Sequence, residues 1–141
     1  MTNQELIQQA AAIVNAKWIG DFLVGDVGCA VLTDKHNLYL GVCADVASNS
    51  FCAEHNAIGS MLTAGEYRIE KIVAVWKDDQ GNVHVLAPCG NCREFIRQIN
   101  EENIEADVIL DTDKVVKLKE LLPYHNWFHK INEPLDSHPT S

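Results

Sequence analysis

The sequence is short of positive charge. Its 11 Lys and Arg face 20 Asp and Glu, giving a formal net charge of −9. Nucleic acids and anionic membranes both require a basic face, so neither is expected as a partner. Lys114, Lys117 and Lys119 do crowd together, and they read as a solvated helix face. Long apolar runs are missing as well: no stretch approaches the roughly 18 residues of a membrane span. The start, Met1-Thr2-Asn3-Gln4-Glu5, has neither the basic end nor the apolar stretch of a secretory signal, which predicts a cytoplasmic protein. There is no internal repeat and no linker. Cysteines are odd in number, at positions 29, 43, 52, 89 and 92. Without an export signal, that number argues against a disulfide framework and for metal ligation or redox chemistry.

What is present is ordinary globular material. The 141 residues are 47% apolar and 22% charged, enough for one domain with its own core. Thr2 and Glu5 form a capping box, and Leu6, Ile7, Ala10, Ala11, Val14 and Trp18 share one stripe. Together they predict a helix over residues 3–17. Strands are predicted at 27–33, 38–43, 69–76, 83–86 and 106–110, the first two as a hairpin. Helices are expected after Cys52, with Gly65 as the stop, and after Pro88. A last helix is marked by Val115, Leu118, Leu121 and Leu122 and ended by Pro123. Residues 1–131 are expected to form a single domain, with 132–141 as a fraying tail. The alternation predicts an α/β sandwich with a mixed, five-stranded sheet.

Two segments carry chemistry: Cys52-Ala53-Glu54 and Pro88-Cys89-Gly90-Asn91-Cys92. Each sits where a helix begins, and the unpaired N–H groups of a helix start stabilise thiolates. Three thiolates suit zinc, and three protein ligands leave the open fourth position of a catalytic site. Positions i and i+2 diverge by about 200° on a helix, so Cys52 and Glu54 share a pocket only if Cys52 is pre-helical. A glutamate that is not a ligand, set beside a metal-activated water, is a proton shuttle. The plain alternatives are a structural zinc or buried thiols for the three cysteines, and a dipole-stabilising first-turn acid for Glu54. Cys29 reads as a small core residue.

These segments resemble the signature of zinc deaminases acting on nucleobases, Cys-Ala-Glu followed by Pro-Cys-x-x-Cys. The chain is accordingly identified as similar to the cytidine deaminase superfamily. Val27-Gly28-Cys29-Ala30 and Leu121-Leu122-Pro123 extend the likeness across residues 5–128. It implies a three-layer α/β/α sandwich, a homotetramer with pockets at subunit contacts, and Zn²⁺ on Cys52, Cys89 and Cys92. It further implies Glu54 as the catalytic proton shuttle in hydrolytic deamination of a cytidine-like nucleoside. Ala53, Cys43, Asp45 and Trp127 become candidates for the substrate pocket. Trp127, with Phe128, is either C-terminal packing or an aromatic wall on a neighbouring subunit's pocket.

The departures bear on the substrate. The family's Gly-x-Asn-x-Glu, whose side chains hold the ribose, is Gly41-Val42-Cys43-Ala44-Asp45 here. A thiol is a weak donor and acceptor and does not replace an amide. Cys43 is otherwise core at a strand end, and Asp45 a turn cap. The short stretch from Cys43 to Cys52 resembles blasticidin S deaminases, which favours blasticidin S or a modified cytosine nucleoside as the alternative substrate. A non-catalytic zinc module, with Cys43 as a fourth thiolate, is the rival of another class. The arginine that follows Cys-Ala-Glu in the family is His55 here. His55 and Arg93 are the candidates for offsetting the negative thiolates around the metal.

Overall fold

The computed structural model describes residues 1–135. In chain order the elements are α1 (Asn3–Ala12), β1 (Lys17–Ile19), β2 (Phe22–Thr33), β3 (Leu38–Asp45), α2 (Ala53–Thr63), β4 (Ile69–Lys77) and β5 (Val83–Leu86). They continue with α3 (Gly90–Ile99), a 3-10 turn (Glu101–Glu105), β6 (Asp107–Asp111), β7 (Lys114–Lys117) and α4 (Leu118–Leu121). One sheet runs β1-β2-β4-β6-β7, with β3 beside β2 and β5 beside β4. Only β4 and β6 are parallel, so the sheet is mixed.

Alternation along β2 builds the layers. Ala30 and Leu32 pack with Val73, Val75 and Ile109 under Leu6, Ile7 and Ala10 of α1. Cys29 and Val31 point the other way, with Ile72, Ala74 and Val108, onto Ala53, Ala57, Ile58 and Met61 of α2 and Ile96 of α3. The result is the expected three-layer α/β/α sandwich, and Cys29 is the buried core residue it was read as. Asn103, fully buried, accepts from the Ile69 N–H and donates to the carbonyls of Tyr67 and Ile96. It thereby ties the end of α3 to the sheet.

Four expectations are corrected. Among the described residues the sheet has seven strands rather than five, the additional ones being β1 and β7. α1 stops at Ala12, because the Asn15 N–H is taken by the Gly25 carbonyl at 2.8 Å and the chain leaves the helix to pair as β1. The last helix is only Leu118–Leu121, since Val115 and Val116 are β-branched and pair with Ile109 and Val108. Lys114 and Lys117 therefore lie on a strand, not a helix face; Lys117 Nζ meets Asp107 Oδ1 at 2.6 Å and Lys119 Nζ meets Glu105 Oε1 at 2.8 Å. Of the expected tail, residues 136–141 lie outside the described residues.

Two glycines let helices sit close on the sheet. A Cβ at Gly28 would lie 2.4 Å from the Ala10 carbonyl oxygen, and one at Gly41 2.3 Å from the Ala57 nitrogen. Both obstacles are backbone, which does not swing aside. Asn56 Nδ2 adds a hydrogen bond to the Val42 carbonyl at 3.0 Å. α2 is thus pressed onto β3, and this fixes the position of its N-terminal Cys52. Gly41→Ala is expected to cost at least about 3 kcal/mol of folding stability. Gly59→Ala, in the same helix with open space around it, should stabilise by about 0.5–1 kcal/mol. Urea unfolding of the two variants checks both signs.

Candidate active site

Cys52 and Cys89 are the N-cap residues of α2 and α3, both in extended conformation with φ −73° and −70°. Neither caps its helix through a side-chain hydrogen bond, so both thiols are free to turn inward. Cys92, one turn into α3, is buried behind them. The three Sγ atoms lie within 4.8 Å of one another, and Cys89 and Cys92 are 3.6 Å apart. Because Cys52 is pre-helical, Glu54 of the first turn of α2 lines the same cavity, at 6% exposure.

The electrostatics of this cluster are strained without a cation. Burial, and next the Glu54 carboxylate, push the Cys92 thiol well above its ordinary range. Burial and the negative neighbours Cys89 and Glu54 also raise Cys52, against a lowering bond from Cys92. Cys89 alone moves down: burial opposes ionisation there, but the backbone N–H of Cys92, the other two thiols and the Asn91 N–H outweigh it. Three sulfur donors in tetrahedral reach, beside a buried carboxylate, fit a soft divalent cation that takes their charge. They fit zinc, and three protein donors would leave one place of a tetrahedral shell for a non-protein ligand.

That cavity has a volume of about 690 Å³ and is walled by the start of α2, the start of α3, Asp26 and Val27 within β2, the ends of β3 and β5, and the loop before Cys52. Ala53, Cys43 and Asp45 all line it. The Cys43 thiol donates to Asp26 Oδ1 at 2.8 Å. Burial, and next this bond, raise its pKa. Asp45 Oδ1 accepts from Ser50 Oγ at 3.3 Å. Cys43 does not belong to the sulfur cluster, which removes the four-thiolate arrangement of a closed structural site.

His55 is not a solvated helix residue. Its ring stacks on Phe95, with centroids 4.4 Å apart and planes 6° from parallel, and its Nδ1 lies 3.5 Å from Cys92 Sγ. Arg93 donates from Nε to the Pro88 carbonyl at 2.7 Å and from a terminal nitrogen to the Leu121 carbonyl at 3.1 Å. It holds the turn before Cys89 rather than touching a thiol. Trp127 lies outside this cavity: it is 68% exposed, with the Arg97 guanidinium 5.8 Å over its ring, and Phe128 is exposed as well. The sequence reading missed Asp26, Phe51 and Phe95. Only Asp26 left a trace, as a carboxylate interrupting an apolar strand.

Sulfur donors and a buried carboxylate at paired helix starts define a zinc-dependent hydrolytic site, and the comparisons place it. A family model for the cytidine and deoxycytidylate deaminase zinc-binding region matches residues 1–106. A blasticidin-S deaminase of Bacillus cereus is 31% identical over 106 residues, spanning 69% of this chain and 74% of that protein. The crystal structure of cytidine deaminase from Mycobacterium leprae aligns with TM-score 0.68 at 26% identity, over 87% of this chain and 99% of that one. The Burkholderia pseudomallei cytidine deaminase gives 0.68 at 27%, over 87% and 98%. The chain belongs to the cytidine and deoxycytidylate deaminase family of zinc-binding hydrolases.

Purified protein should carry about one zinc per chain. Elemental analysis of the Cys52→Ala, Cys89→Ala and Cys92→Ala variants should show loss of the metal from each; full zinc in Cys89→Ala protein would refute the assignment.

Proposed function

We propose that the protein hydrolyses the exocyclic amine of a cytidine-like aminopyrimidine nucleoside to a carbonyl, releasing ammonia. The observation that carries this reading is Glu54, a buried carboxylate lining the same cavity as the thiols of Cys52 and Cys89. Cys52, Cys89 and Cys92 would hold the zinc, which when bound lowers the pKa of a water towards about 7. Glu54 is the catalytic residue. It accepts one proton of the attacking water and delivers it to the ring nitrogen, then carries the remaining hydroxyl proton to the amine, so that the C–N bond breaks, ammonia leaves and the carbonyl forms. His55, stacked on Phe95, directs Nδ1 at Cys92 and moderates the negative charge of the sulfur cluster. Arg93 is a positioning residue that holds Cys89 through the Pro88 carbonyl. Ala53 forms part of the floor under the base.

A second reading, in which the better substrate is blasticidin S or a modified cytosine nucleoside, has its own support. The Cys43 thiol already donates to Asp26, and Asp45 sits at the exposed end of β3, so a ribose loses the amide and the longer carboxylate that would grip it. The residues from 1 to 131 act as one deaminase domain in this reading. A homotetramer fits the bare apolar side chains of Trp127, Phe128 and Ile131, with Trp127 on a neighbouring subunit's pocket. Five free thiols suit the reducing cytoplasm.

Glu54→Gln should keep fold and zinc but slow deamination by about 10²–10⁴-fold or more. Ammonia release is the readout, and retention of more than about a tenth of the wild-type rate would refute the role. The double change Cys43→Asn with Asp45→Glu should raise kcat/KM for cytidine relative to the better native substrate. A wild-type value near 10⁵ M⁻¹s⁻¹ for cytidine, well inside the usual range, would contradict the weakened ribose grip.

A further inference from the structure

We propose that Asp26 is a specificity-determining residue of this site, selecting nucleosides with a cationic group on the sugar and rejecting those with a phosphate there. The inference rests on the deaminase reading above and assigns the chemistry of the other end of the substrate.

The pairing of β2 with β3 is broken at one place. Val24 faces Ala44 and Gly28 faces Val42, so residues 25–27 together oppose Cys43 alone. A bulge of this kind re-aims a side chain that regular pairing would place elsewhere. This one is pinned from outside. Gly25 has φ +76°, its carbonyl accepts the Asn15 N–H at 2.8 Å, and a Cβ there would lie 2.6 Å from the Asn15 carbonyl oxygen. Asp26, next along, is thereby set on the cavity wall with Cys43.

The Cys43 thiol at 2.8 Å fixes Oδ1 of Asp26. A thiol is a neutral, weak donor, so it orients the carboxylate without cancelling its charge. Oδ2 keeps its accepting capacity. Asp45 adds a second carboxylate to the same wall. Among the described residues no Lys or Arg lines the cavity, and the chain as a whole carries −9.

The reacting amine has to lie at Glu54 and the sulfur cluster, which come from α2 and α3. The remaining lining is the loop at residues 49–51, Leu86 with Ala87, and the strand wall of Asp26, Cys43 and Asp45; the carboxylates among these belong to the strand wall, which we assign to the sugar end. An ammonium or guanidinium there meets an oriented, unneutralised carboxylate, a charge-assisted contact. A phosphate meets like charge on a wall where, among the described residues, no Lys or Arg is present to receive it.

The test uses the zinc-loaded Glu54→Gln protein, which binds without turnover, in low-salt buffer. Calorimetric affinities are compared for 5′-amino-5′-deoxycytidine, cytidine and cytidine 5′-monophosphate. The amine should bind about 10-fold or more tighter than cytidine, and the monophosphate weakest. Adding Asp26→Asn should collapse the amine-to-cytidine ratio and narrow the gap to the monophosphate. Asp26→Ser gives the same readout should the Asn variant fold poorly. An amine-to-cytidine ratio unchanged by both substitutions, or a monophosphate bound as tightly as cytidine before them, overturns the proposal. Ammonia release by the wild-type protein is scored separately: its absence with all three nucleosides would count against the deaminase reading, while the affinity order still decides the role of Asp26.

Discussion

Everything at the site depends on two helix starts meeting. α2 and α3 both begin with an extended cysteine, and the thiols of Cys52, Cys89 and Cys92 converge within 4.8 Å while Glu54 is buried beside them. Such a cluster is unfavourable as bare charge, because burial and mutual repulsion both oppose ionisation. The raised thiols of Cys52 and Cys92 express that conflict. A divalent cation removes it, and metal affinity is then coupled to deprotonation of the same groups. Helix dipoles contribute in the same direction, most visibly at Cys89, where backbone N–H groups help overcome the effect of burial.

Convergence on this scale requires the helices to be seated closely and rigidly. α2 reaches its place because Gly41 leaves room for the backbone at Ala57, and Asn56 bonds the Val42 carbonyl. α3 is held at its far end by the buried amide of Asn103 and at its near end by Arg93, which clasps the carbonyls of Pro88 and Leu121. The Arg93 contacts are to backbone carbonyls, while the His55 ring stacks on Phe95 with its Nδ1 3.5 Å from Cys92 Sγ.

How much of this is readable beforehand follows from the range of the interactions. The metal cluster and Glu54 are legible because their spacing is local: Cys-Ala-Glu and Cys-x-x-Cys each fit inside one helix turn and its cap. The layers are legible too, since Cys29 to Leu32 alternate between two cores. The early end of α1 is not, because the bond that ends it joins Asn15 to Gly25 across a later strand. β7 hides for a similar reason, its Val115 and Val116 fitting a helical stripe until β6 is there to pair with. As site residues, Asp26 leaves only a faint trace in the sequence and Phe95 none. One needs a bulge in strand register to reach the cavity, and the other a histidine from a different helix to stack on.

Chemistry and selectivity are built from different parts of the fold. The proton-transfer and metal-holding groups come from helix starts, where the backbone itself supplies positive potential. The wall that carries Asp26 and Asp45 comes from strands β2 and β3, where the backbone supplies almost none, since strand dipoles alternate. Charge on that wall is therefore set by side chains alone. Asp26 and Asp45 leave it negative, and Cys43 orients one of them without neutralising it. Replacing Asp26 in the bulge changes what this wall of the cavity attracts while leaving the pairing of Gly41 with Cys29, and hence the seat of α2, in place. A fold arranged in this way can keep one reaction and alter its substrate, because the two tasks share a cavity but not a secondary-structure element.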